Sequence, residues 1–457
     1  MTAHFRLSTI TPVRAPINLE SEDLAGFDFN ARAPLPLTGA DFDTLFSGIG
    51  KPAPLAWAYG YGSLENDLCP RFFRPLFKRE LVFANGSPPH ETLKAFCTKW
   101  ALTLACAELY IFDDTLALLR LDFDRPRSEA PFDLITSEQQ SSFDAATSAL
   151  ALALYHQLLY PDFVETTAKL EDIKSDTIRF RKQAAFDIFN DIHFDNKEHK
   201  NERHVLWTGR TIIVPEQGLE AENKTALLEW AACKAEDELQ DVGFGRAHIG
   251  SGNCLLVAER ELDFAATEWF RAQSLCQFYN AILATYNAIL KSILLQIGTL
   301  EKRGIRKGRR ANALLQTMTK RLDHLSFASM EFGESRRGAQ RHRRLVLENT
   351  ITAWELDGVA GGALEMAEFA RKRLERLESR RRSKQNRSIE LILTAIGGVA
   401  VIDLFLSLAD VTHTGTLYED GIPGVLDAFA ALPPDSWIWA ATTIVLLITL
   451  SVYRGRR

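Results

Sequence analysis

IELILTAIGGVAVIDLFLSL, residues 389–408, and WIWAATTIVLLITLSVY, residues 437–453, set a long polar body apart from an apolar carboxy-terminal pair. Twenty residues rising 1.5 Å each cover the roughly 30 Å of a bilayer's hydrocarbon core, so the first stretch has the length of a spanning helix. The second is shorter and carries no charge; Trp437 and Trp439 at one end and Tyr453 at the other stand where amphipathic rings favour the headgroup level.

Basic residues set the orientation expected of this pair, because Lys and Arg beside a span resist translocation. Arg371, Lys372, Arg373, Arg376, Arg380, Arg381, Arg382, Lys384 and Arg387 precede the first stretch, and Arg454, Arg456 and Arg457 follow the second. Between the two stretches lie Asp410, Glu419, Asp420, Asp427 and Asp435 and no Lys or Arg. This asymmetry predicts an inner-membrane hairpin with two spans, both termini cytoplasmic and an acidic external loop. The competing assignment, a buried core helix at 389–408, leaves the asymmetry without a cause.

With 46% hydrophobic and 25% charged residues, the rest of the chain has the composition of an ordinary globular protein. At 457 residues it has room for two or three domains. The amino-terminal MTAHFRLSTITPVRAPINLE lacks the apolar core of a signal peptide, so the body is expected to stay in the cytosol. The net charge of −6 conceals a division: residues 1–300 hold 28 basic and 41 acidic side chains, a net −13, and the remainder is +7. Basic residues flanking a span attract anionic headgroups, so the bilayer rather than nucleic acid is the expected partner of the basic part. Six cysteines without a CxxC pair fit reduced thiols better than disulfides or a zinc site.

Pattern and punctuation divide the body further. Residues 1–53, rich in Pro and Gly, read as an irregular arm or a few edge strands. Residues 54–262 alternate strand-like and helix-like runs, with a hairpin at Asp113 and Asp114, and predict an α+β or mixed-sheet cytosolic domain. Residues 263–388 have helical spacing throughout and read as a stalk, in which Gly358, Gly361 and Gly362 predict a break. From Ala363 the last helix meets no Pro or Gly before Gly397 and is expected to run unbroken into the first span of a transmembrane hairpin, residues 389–457.

Few constellations nominate chemistry. Asp403 lies inside the first apolar stretch, where an ionised carboxylate costs roughly 2.5 to 3.5 kcal/mol near the bilayer centre, so it is expected to face a partner helix or water. Asp403, Asp410, Glu419 and Asp420 are the candidate cation-attracting residues, either as a ring in an oligomeric pore or as carboxylates at a wet outer boundary. Arg380, Arg381, Arg382, Lys384, Arg387, Arg454, Arg456 and Arg457 are the candidate membrane-surface residues. The His-rich and acidic run HFDNKEHKNERH, residues 193–204, matches no zinc spacing. HIGSGNCLL puts its glycines before a strand instead of between strand and helix, so it is no dinucleotide fingerprint. No Walker, HExxH or GxSxG motif occurs; the residues nominate neither an enzyme nor a cofactor.

The layout resembles the CorA-like two-transmembrane superfamily of divalent-cation transporters: a cytosolic α/β domain, a helical region, a long helix continuing into the first span, an external loop and a second span ending in basic residues. The resemblance implies a homo-oligomer with the first span lining a pore. It also implies a divalent cation or a small cytosolic ligand as partner. In those transporters a Gly-Met-Asn tripeptide closes the first span; here the corresponding stretch reads SLADVTHTG and the loop is longer, which makes this chain a divergent relative at most. Divergent members without the tripeptide include nucleotide-gated membrane effectors. The expectation is therefore an oligomeric channel or transporter-like protein with a cytosolic sensing domain, and the alternative is a non-conducting membrane-tethered scaffold or signalling protein.

Overall fold

The computed structural model describes residues 3–14, 50–53, 77–112, 116–126, 137–161, 205–216, 221–303, 309–339 and 341–414, together with 433, 436 and 439–447. Two compact units are present, Met1–Arg371 and Lys372–Arg457.

The first unit is built on one nine-stranded mixed sheet. Its strands are β1 (Ala3–Arg14), β2 (Gly50–Ala53), β3 (Phe77–Leu81), β4 (Thr103–Ile111), β5 (Leu116–Pro126), β6 (Gly209–Pro215), β7 (Gln240–Asp241), β8 (Gly245–Ile249) and β9 (Asn253–Ala258). The spatial order is β2-β3-β4-β5-β1-β6-β9-β8-β7, antiparallel at every step except β6 beside β9. β4 and β5 form the hairpin expected around Asp113 and Asp114, closed by the Phe112 amide donating to the Leu116 carbonyl at 3.0 Å. Gly250 and Gly252 lie in the β8–β9 hairpin turn, where a Cβ on Gly250 would stand 2.5 Å from the Asn253 carbonyl oxygen.

Alternation along the strands sends one set of side chains to each face. Phe5, Leu7 and Val13 of β1, Leu109 and Ile111 of β4, and Leu119, Leu121 and Phe123 of β5 share a core with α1 (Pro88–Trp100), α2 (Ser137–Leu154) and α3 (Ala221–Trp230). Phe96 packs on Phe123 with ring centroids 5.3 Å apart, and Trp100 meets Phe143 edge-on at 5.0 Å. α1 starts where a Ser87 hydroxyl accepts from the His90 amide and two prolines follow, and it stops at Ala101 in the left-handed conformation. A short π-helical turn, Tyr155–Leu159, continues α2.

The opposite face is covered by α4 (Leu262–Arg303), which α5 (Arg309–Gly338) and α6 (Arg341–Ala353) cover in turn. Phe112 stacks on Phe278 at 4.1 Å, Tyr110 meets Phe270 at 5.0 Å, and the Trp269 indole donates to the Thr211 hydroxyl at 2.8 Å. Tyr279 on α4 stacks on Phe332 of α5 at 3.9 Å, and Gln273 donates to Thr350 of α6 at 3.0 Å. The sheet is therefore sandwiched between two helical layers, each closing one apolar face.

Three expectations change. The arm assigned to residues 1–53 contains β1, the middle strand of the sheet, and β2 at its edge. Prolines and glycines suggested an arm, but Ser8, Thr9 and Thr11 of β1 are buried and bonded to Asp122, the Leu121 carbonyl and Thr208. The stalk expected from residue 263 is mostly part of the sheet unit, because the broad apolar surface of α4 is used against strands and neighbouring helices. The break expected at Gly358 falls at Glu355, a left-handed residue after α6, and α7 (Leu356–Thr414) carries the glycines inside its first turns. α7 is one continuous helix, as the lack of Pro and Gly from Ala363 to Gly397 predicts. Residues 54–76, 193–204 and 415–432, which hold several sequence expectations, lie outside the described residues.

Candidate functional site: the exposed seam of the carboxy-terminal helix

Two apolar helices meet opposite fates. Among the described residues α4 alone is long and apolar enough to cross a membrane, and α7 contributes a shorter apolar part, Ile392–Leu404. Yet α4 is a core helix: Trp269, Phe270, Leu275, Cys276, Phe278, Ile282 and Leu290 are all buried. The second unit shows the reverse. Ile389, Ile392, Leu393, Ile396, Leu404 and Leu406 are exposed, Val399 is 67% exposed and Trp439 72%. Burying a large aliphatic side chain is worth about 1.5 to 3 kcal/mol, so a folded chain that seals α4 and leaves this surface open has left a substantial driving force unused.

Exposed residues lie all around this part of α7, Leu393, Ile402 and Leu404 among them, and one set of them is regularly spaced. Ile389, Ile392, Ile396, Val399, Asp403, Leu406 and Asp410 recur at alternating spacings of three and four, all exposed, the repeat by which one helix packs against another. At 100° per residue they occupy one arc of the helix, centred about 125° away from Gly398. Gly398 is where the segment 439–447, also helical, comes close: a Cβ built there would stand 3.2 Å from the Val445 Cγ1 atom. Ala441 is buried beside this contact region in sequence. The seam and the contact with the second apolar segment thus lie on different sides of α7. Thr394 donates to the Glu390 carbonyl and Thr443 to the Trp439 carbonyl, each at 2.7 Å.

Of the carboxylates expected from sequence, Asp403 and Asp410 fall on the seam and Glu419 and Asp420 lie outside the described residues. Arg380 and Arg382 are exposed on α7, and Arg382 approaches Glu378 at 3.8 Å. Arg381, Lys384 and Arg387 have helical backbone only, and Arg454, Arg456 and Arg457 lie outside the described residues. Sequence reading did not find the seam as a unit, although its three-four spacing is present in the letters.

The first unit holds ionic groups of another kind. Arg120 and Asp122 on β5 are paired at 3.0 Å through Nε, Glu108 on β4 faces Arg120 at 3.3 Å and also pairs with Lys78 on β3, and Ser8 on β1 donates to Asp122 at 2.7 Å. The guanidinium lies 4.4 Å from the Phe270 ring centre. Burial pushes the Glu108 carboxyl up, but hydrogen bonds from Lys78 and Tyr110 and the Arg120 charge outweigh it and hold the group below the ordinary carboxylate range. Glu268 on α4 behaves alike: burial raises it, and Arg343, at 2.6 and 2.9 Å, with His342 brings it below the ordinary range. Burial drives the Cys106 and Cys254 thiols up to about 12. These groups hold the layers of the first unit together.

The chain matches no family model, no curated protein and no solved structure. The functional reading therefore rests on the seam and on the chemistry of its carboxylates.

Proposed function

We propose that this chain is an oligomeric, channel- or transporter-like protein of the inner membrane. In this reading α7 from Ile389 and the helical segment 439–447 form the two-helix hairpin in the bilayer, and the basic residues on either side contact lipid headgroups. The sheet unit lies in the cytosol and senses a small ligand. One observation supports the reading above others: an exposed apolar seam that contains two aspartates.

The physical argument runs through Asp403. Facing lipid, its carboxylate carries the insertion cost given above; facing the same residue on neighbouring copies around water, it does not. Two spans from one chain cannot enclose a water path, so a conducting form needs several copies. A seam set away from the Gly398–Val445 contact lets α7 line such an axis while the second helix stays peripheral. Rings of Asp403 and Asp410 then draw cations, which relieve the repulsion among the carboxylates.

The test uses full-length protein in lipid vesicles. Asp403→Asn, which keeps the shape and removes the charge, is expected to cut cation current by roughly tenfold or more, the lower end of the local concentration a like-charged constriction provides. A monomeric particle mass in detergent removes the pore. An unchanged current in an intact oligomer removes Asp403 from it, and an oligomer that attaches to membranes and never conducts leaves a tethered scaffold.

A further inference from the structure

A second cluster, in the first unit, is assembled from three elements distant in type and close in space. α3 ends in a paired-bond turn: the Cys233 amide donates to the Leu228 carbonyl at 2.8 Å and the Ala232 amide to the Glu229 carbonyl at 3.0 Å, with Ala232 in the left-handed conformation. This geometry turns Cys233 inward, where it is buried among the apolar residues on the α1–α3 face of the sheet. The chain then enters a single 3₁₀ turn, Glu236–Glu238, and Glu238 folds back to accept from the Lys234 amide at 3.0 Å. His248 on β8 sits opposite Leu255 of β9, on the sheet face from which Leu255 joins that same core. The Sγ of Cys233, a carboxylate oxygen of Glu238 and a ring nitrogen of His248 all lie within 4.8 Å of one another.

We infer that Cys233, Glu238 and His248 form a divalent transition-metal site, best suited to zinc, that ties the loop after α3 to β8. Ligands held about 2.0 to 2.3 Å from a tetrahedral ion lie about 3.5 Å from each other, so side-chain rotation of an ångström or so converts the observed triad into a coordination shell. The donor set selects the ion: a thiolate and an imidazole disfavour magnesium and calcium, which take oxygen ligands, and fit zinc, cobalt or copper. Three protein ligands leave a fourth position, and Glu238 is exposed, so water completes the shell. Binding exchanges aquo ligands of the cation for protein donors, and the Cys233 proton passes to solvent. That thiol donates to the Ala235 carbonyl at 3.1 Å, an arrangement the thiolate gives up.

Full-length protein stripped with a chelator and titrated with cobalt is expected to bind one equivalent at this site with a thiolate-to-cobalt charge-transfer absorption, and one equivalent of zinc is expected to displace it. Cys233→Ser should abolish the absorption, and Cys97→Ser, at a thiol outside the triad, should keep it. Glu238→Gln, at an exposed position that leaves the core intact, is expected to weaken binding at least tenfold, which keeps the inference testable if Cys233→Ser fails to fold. No charge-transfer absorption, its survival in Cys233→Ser, or unchanged affinity in Glu238→Gln would overturn it. None of these outcomes depends on whether the seam of α7 enters a membrane.

Discussion

Arg120→Ala is expected to destabilise the sheet unit by about 3 to 5 kcal/mol, the cost of removing one partner from a buried ion pair. Asp122 is fully buried and keeps only the Ser8 hydroxyl when the guanidinium is gone. Glu108 retains Lys78 and Tyr110 and loses less. The ring contact with Phe270 disappears as well, which loosens α4 on the sheet. Urea unfolding followed by tryptophan fluorescence measures the change. Arg120→Met combined with Asp122→Leu should recover much of it, because two apolar groups of similar volume leave no uncompensated charge. If the single variant loses under 1 kcal/mol, the network is not closed as described.

The same groups make the unit sensitive to acid. Glu108 and Glu268 have carboxyls held below the ordinary value of 4.5 in the folded state. A carboxylate with a depressed folded-state pKa stabilises the fold above its unfolded-state value, and that contribution is lost as pH falls through the folded-state value. The unfolding midpoint in urea should therefore hold steady from neutral pH down to about 5 and fall below it, more steeply than in a Glu268→Gln variant. A midpoint that rises on acidification contradicts the assignment.

Val399→Lys on the seam together with Leu393→Lys on a neighbouring exposed face separates a bilayer-facing helix from an aqueous one. On a helix in water, substitutions at such exposed positions stay within about 0.5 kcal/mol. In a bilayer each lysine near the centre costs about 2.5 to 3.5 kcal/mol on insertion scales, so the pair shifts insertion by three orders of magnitude or more. Alkaline extraction of membranes from cells expressing each form reads the difference: wild type should remain with the pellet and the double variant should leave it. Leu295→Lys, at a position 73% exposed on α4, is the matching control and should change nothing. A double variant that behaves like wild type ends the bilayer reading of α7.

The elements most legible in sequence were those with a single dominant signal. The β4–β5 hairpin announced itself by two apolar runs around paired aspartates, α4 by its long helical period, and the continuous α7 by the absence of breakers. β1 was hidden because residues 1–53 are rich in Pro and Gly, and the partners of its buried hydroxyls lie on β5 and before β6; a sequence shows the donor and not the acceptor a hundred residues away. The glycines of α7 suggested a hinge on propensity alone, yet the chain turns at Glu355, where the Trp354 indole is anchored to the Gly250 carbonyl at 2.8 Å. Glu268, Arg120 and Asp122 gave no hint of burial, since a charged residue enters a core only through partners supplied by other strands and helices. The Cys233, Glu238 and His248 cluster escaped for the same reason: its donors come from a helix end, a 3₁₀ turn and a strand, so no spacing rule describes it.

The position of β1 has a bearing on biosynthesis. Among the described strands it comes first in chain order, yet it pairs on one side with β5, more than a hundred residues later, and on the other with β6, about two hundred later. Until both neighbours emerge, its apolar face and its amides are without their final companions, and the two halves of the sheet stay unjoined.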